Sequence, residues 1–151
     1  MGVKIGAAAL ILAAAIIARG TVAAAAIGQD KTTRDRIYTK EQAARGAELY
    51  VKFCEKCHDP AKVPEGKKPG PQTIGPKFLD TWQDRTLGEL FSNILNTMPN
   101  DGSAILTSDQ TLDLVAHLLK ANGFPEGDAA LRNDAAMKAT VIVKSGSAGV
   151  R

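Results

Sequence analysis

Beyond Cys54 and Cys57 the sequence holds no cysteine, and beyond His58 and His117 it holds no histidine. A structural zinc site would therefore have only His117 to complete it, and a thioredoxin-like thiol pair lacks the βαβ pattern that normally carries one. An excess of one charge is also missing. Of the 19 basic residues, Lys4 and Arg19 lie in the N-terminal segment, so 17 remain against 16 acidic ones, a net +1 that offers nothing to nucleic acid. Apolar runs long enough to span a membrane are absent too. As a helix at about 1.5 Å per residue, Ile5 to Ala18 covers about 21 Å, short of the roughly 30 Å hydrocarbon core. Arg19 interrupts its extension to Ile27.

What is present at the N-terminus is a processing pattern. Lys4 supplies a positive start, Ile5 to Ala18 an apolar centre, and Ala23 to Ala26 small residues for cleavage. Residues 1–26 are expected to be a cleaved secretory signal peptide, with an uncleaved membrane tether as the alternative. An exported, periplasmic protein follows. The remaining composition, within a chain that is 44% hydrophobic and 23% charged, is that of one small globular domain.

Export into an oxidising compartment asks why the two cysteines stand where they do. Cys54-Glu55-Lys56-Cys57-His58 is a C-x-x-C-H sequence, the pattern of covalent c-type haem attachment. Thiols three residues apart lie about one helical turn from each other, so both can add to the vinyl groups of one macrocycle. The next residue, His58, then reaches the iron as proximal ligand.

Thr39 and Gln42 form a capping box ahead of Lys40 to Phe53, a stretch without proline, so a helix is predicted to run into the motif. Ala43, Ala47, Tyr50 and Cys54 share its buried face. A second capping box, Thr86 with Glu89, opens a helix whose apolar residues Leu87, Leu90, Phe91, Ile94, Leu95 and Met98 recur at helical spacing. A third helix runs from Thr107 or Ser108 to about Ala121, with Leu112, Val115, Ala116 and Leu119 inward, and stops at Asn122-Gly123 before Pro125. Residues 59–73, rich in Pro, Gly and Lys, read as a loop.

Gly46, Tyr50, Cys54, Cys57 and His58 together resemble the G-x-x-x-aromatic-x-x-x-C-x-x-C-H pattern of class I cytochromes c, a resemblance that covers roughly residues 39–126. It implies an all-α fold of three main helices and loops around one covalently bound haem c. It also implies that Gly46 lets the first and last helices cross closely, and that Pro76, in Gly75-Pro76, offers its carbonyl to Nδ1 of His58. Met98, before Pro99, resembles the family's distal ligand. A thioether is soft and neutral, so it favours ferrous iron, raises the potential and leaves no open coordination position. The plainer reading of Met98 is one more core residue on an apolar stripe. His117 is the rival ligand, but it sits where the family places an aromatic against the first helix, so it is read as a packing residue facing Gly46 or Tyr50.

Trp82 and Arg85 both have donors suited to a haem propionate, while their ordinary readings are a core indole and a solvated Arg beside Asp84. Lys52, Lys56, Lys62, Lys67, Lys68 and Lys77 gather around the motif, either as scattered surface lysines or as a rim that steers acidic redox partners. From Trp82 to Gly127 the sequence further resembles monohaem cytochromes that serve quinoprotein dehydrogenases. The expected organisation is a linker at 27–38, a cytochrome domain at 39–126 and a peripheral C-terminal extension at 127–151, in which Asp134 caps a short helix from Ala135 to Ala139. The expected function is one-electron transfer between a dehydrogenase or respiratory complex and a terminal acceptor, such as a terminal oxidase, rather than catalysis. A haem enzyme or gas sensor with a displaceable Met98 is the alternative.

Overall fold

A computed structural model describes residues 1–2 and 31–144. The expected signal peptide therefore lies almost wholly outside the described residues. Among those described, no helix is long and apolar enough to cross a membrane, and the secondary structure is helical without strands. The elements are α1 (Lys40–Phe53), α2 (Glu55–His58), α3 (Pro76–Trp82), α4 (Leu87–Thr97), α5 (Ser108–Ala121) and α6 (Ala135–Ala139).

The three long helices start where their capping boxes place them. Thr39, Thr86 and Thr107 each accept from the backbone of the residue three positions on, and that residue's side chain returns the bond. Asp134 caps α6 through the Met137 amide. Helix α3 has no counterpart among the elements that the sequence predicts. Its signal is Pro76 at the first helical position, where a missing N–H costs nothing.

Helices α1 and α5 form the main packing pair, and they cross at Gly46. A Cβ there would collide with the Asp113 carbonyl oxygen and lie 2.8 Å from Cβ of His117, so only glycine permits the approach. Beside the crossing, Arg45 holds Asp113 in a bidentate pair at 2.7 Å for each bond. Helix α4 buries Leu87, Leu90, Phe91 and Ile94, with Leu95 and Met98 partly buried behind them. Helix α5 departs from a single apolar stripe. Besides Leu112, Val115, Ala116 and Leu119 it buries Leu114 and Leu118, because it packs against α1 and α4 while another face lines a cavity.

The expectation of a peripheral C-terminal segment is corrected. Ile142 is fully buried, as is nearly all of Thr140, and Met137 and Leu131 join the same core. The extended segment 140–143 runs between two others through isolated bridges. Its Val141 accepts from the Thr33 amide and donates to Lys31, while Ile142 exchanges two 2.8 Å bonds with Asp84 and Arg85. On the N-terminal side Tyr38 is completely buried and donates to the Phe124 carbonyl at 2.6 Å. Burial, with the charge of Glu126 adding to it, pushes its phenol up to about 12. β-Branched and aromatic residues in short extended pieces thus complete a helical core.

Candidate cofactor site

The end of α1 turns into α2 at Cys54, so the C-x-x-C-H motif sits at a helix junction rather than in a regular helix. Cys54 and Cys57 are both free thiols, the first partly buried and the second exposed. Burial, then the neighbouring Cys57, pushes the Cys54 thiol up to about 11.

His58 Nδ1 lies 2.6 Å from the Pro71 carbonyl oxygen. With its hydrogen committed to that carbonyl, the ring keeps its Nε2 lone pair for a metal. The assignment of this bond to Pro76 is therefore corrected. Two Gly-Pro pairs follow the motif, and the nearer one serves because the Gly70 amide bonds the Cys57 carbonyl at 2.7 Å, folding the loop back on the histidine at once. A Cβ on Gly70 would lie 3.2 Å from Cε1 of His58, so the loop also rests on the ring. Pro76 instead opens α3.

Beyond the motif lies a cavity of about 310 Å³, within the range of small-molecule and cofactor sites. Its walls are chiefly apolar, with Phe78 of α3, Leu90 and Ile94 of α4, and Leu114 and Leu118 of α5. Cys54, His58 and Met98 all face this space, and the same three also line an adjoining cavity of about 250 Å³ together with Cys57. Met98 gets there as the C-cap of α4, its backbone already extended, so the chain leaves the helix while the side chain stays among partly buried apolar groups. An imidazole, a thioether and a thiol pair around an apolar space fit a covalently held haem.

Trp82 and Arg85 stand together at the cavity wall. The Arg85 guanidinium lies 4.3 Å from the Trp82 ring centroid and bonds Glu89 at 3.1 and 3.2 Å. Its carboxylate partner is thus Glu89, one turn along, rather than Asp84. The Arg85 backbone is fixed by the C-terminal segment through Ile142, and its amide in turn bonds the Trp82 carbonyl at 3.1 Å.

His117 lines neither cavity. It packs on Tyr50 with ring centroids 5.0 Å apart, at the α1–α5 crossing, where the sequence placed it. Burial, then Lys120, lowers its pKa, and its Nε2 is buried without a hydrogen-bond partner. Tyr50 turns its hydroxyl to Thr73 at 2.8 Å and lines the large cavity.

Two residues escaped the sequence reading. Pro71 could have been found as a second Gly-Pro carbonyl. Asn122, read only as a helix stop, accepts from the Gly75 amide at 2.8 Å and donates to Thr73 and Leu118, tying the loop to the end of α5. A lone Asn at a C-cap carries no sequence signal for that. The lysines around the motif divide as well. Lys56 pairs with Asp101 at 2.7 Å and Lys62 with Glu55 at 3.4 Å, whereas Lys52 lies over the Phe53 ring. The Lys56 ammonium, helped by Ser103, holds the Asp101 carboxyl well below the usual carboxylate range.

A model of the family described as cytochrome c oxidase, cbb3-type, subunit III matches residues 41–118, just over half of the chain. The matched span reaches from the first turn of α1 to the last of α5 and contains the whole motif and Met98. Comparison with curated proteins and with solved structures gave no significant match.

Proposed function

The chain belongs to this cytochrome c family of electron-transfer haem proteins, and from that premise we propose that it is an exported, single-haem, one-electron carrier ligated by His58 and Met98. The observation that carries the reading is the convergence of Cys54, His58 and Met98 on one apolar cavity. When bound, the haem supplies the ferrous–ferric couple.

The chain's own residues do the rest. Cys54 and Cys57 would hold the ring through their sulfurs, and His58, oriented by the Pro71 carbonyl, would be one ligand to its iron. Met98 would supply a second, soft and neutral ligand, one that favours the ferrous state. Phe78, Leu90, Ile94, Leu114 and Leu118 line the cavity and would keep water from a bound haem. Trp82 and Arg85 would offer their donors to a propionate, and α1, α4 and α5 would be the three helices around the group.

In this reading residues 1–26 are a cleaved signal peptide that delivers the protein to the periplasm, and the function is transfer rather than catalysis. The partners are redox proteins, a terminal oxidase or a quinoprotein dehydrogenase, met at the lysine-bearing edge. Haem attachment is tested by maturing wild type, Cys57→Ser and the double variant Cys54→Ser/Cys57→Ser in a c-haem-competent host. Wild type should carry one haem per chain that survives denaturing electrophoresis, and the double variant none. Covalent haem in the double variant would overturn the assignment.

A further inference from the structure

The loop that carries Met98 toward α5 is tethered at its two ends and in one place between. At its start the Met98 amide bonds Ile94 within the end of α4, and at its far end Leu106 is buried in the core. The bonds made within the loop, Gly102 N–H to the Pro99 carbonyl and Ser103 N–H to Asp101, are local turns that fasten it to nothing else. Ile105 is 98% exposed. Among the described residues, the one polar contact from positions 99–106 to another part of the protein is the 2.7 Å pair between Asp101 and Lys56.

Lys56 is the residue before Cys57 in the attachment motif, so the contact joins the proximal segment to the distal loop across 45 residues of sequence. It lies where these segments face each other. Cys54, Lys56, Cys57 and His58 of the attachment motif and Met98, Pro99, Asn100 and Asp101 of the loop line the smaller cavity together. A loop held only at its ends fluctuates more than one pinned in the middle, and a ligand on such a loop leaves its metal more often.

We propose that Lys56 and Asp101 form a latch across the mouth of the cofactor cavity and act as positioning residues that hold the Met98 loop closed. The inference rests on the reading of Met98 as distal ligand. The latch touches neither the iron nor its ligands directly. Its effect is on how often Met98 yields its place. Both partners are about half exposed, so salt weakens the pair and its contribution is modest.

The test uses the ferric holoprotein and neutral imidazole as a competing ligand, with the sulfur-to-iron absorption band as readout. Lys56→Gln and Asp101→Asn should each bind imidazole about three- to fivefold more tightly than wild type, the size expected for an exposed pair. The exchanged pair Lys56→Asp/Asp101→Lys should return most of the way to wild type. In wild type alone, imidazole affinity should rise with ionic strength, a measurement that needs no variant to fold. Unchanged affinity in both single variants, or no recovery in the exchanged pair, overturns the latch while leaving Met98 ligation intact. A wild type without the sulfur-to-iron band fails the ligation reading itself, and the latch falls with it.

Discussion

At the residue scale, His117 shows how a site can be read correctly and still be suboptimal. Its place in the sequence identified it as a packing residue, and it does pack on Tyr50 at the α1–α5 crossing. What the sequence did not reveal is that Nε2 is sealed away from any partner. An unsatisfied buried polar group costs about 1–3 kcal/mol, so His117→Phe should stabilise the protein by about 1 kcal/mol and raise its melting temperature. The pH dependence follows from the same burial. Since the folded state binds this proton less readily than the unfolded chain, the unfolded state holds more protons below about pH 6.5, and stability contributed by a neutral His117 is lost as pH falls toward its lowered folded value. Melting curves from pH 7 to pH 5 should fall more steeply for wild type than for His117→Phe; parallel curves would show that the histidine is already solvated. Pro71 makes the complementary point. The residue type was legible, a Gly-Pro carbonyl for His58, but a choice between two such pairs depends on how the loop folds, which the Gly70 amide settles by bonding Cys57.

Elements were legible in proportion to how local their determinants are. Capping boxes and apolar spacing act within one or two turns, and α1, α4 and α5 begin and end where those signals put them. The short α6 was foreseen from Asp134 for the same reason. The extended segment 140–143 was not, because its stability comes from partners far away in sequence, Lys31 to Thr33 on one side and Asp84 to Leu87 on the other. A run of β-branched residues near a chain end says nothing about what it will pair with. Ile142 sits at the centre of that clasp, fully buried, and its backbone holds the Asp84–Arg85 turn beside the cavity. Ile142→Ala should therefore cost about 2–5 kcal/mol in denaturant unfolding, the range for a large-to-small change in a core. A cost below about 0.5 kcal/mol would return the segment to the periphery.

For the whole molecule, the arrangement is a small helical protein whose core is built around an apolar space rather than without one. Three helices, a loop bearing Gly70-Pro71 and the Met98 turn all end on that space, and the matched family accounts for the motif at its edge. The charge distribution bears on partners. Of the lysines that cluster in sequence around the motif, Lys56 and Lys62 are paired and Lys68 lines the smaller cavity; the proposed docking edge would draw its positive character from Lys68 together with Lys52, Lys67 and Lys77. Electron transfer to an acidic partner should slow as ionic strength rises, since screening shortens the reach of these charges to about 10 Å at 0.1 M salt. A flat or rising dependence in stopped-flow measurements would remove the electrostatic docking surface from the account. The claim on which the rest depends is that His58 and Met98 hold one iron between them. It is tested most directly by the optical spectrum of the matured protein, oxidised and reduced, beside Met98→Ala. The account predicts a sharp reduced α band and a weak sulfur-to-iron band in the oxidised wild type that disappears in the variant; a high-spin or ligand-accepting wild type would contradict it and make the protein a haem enzyme or sensor instead.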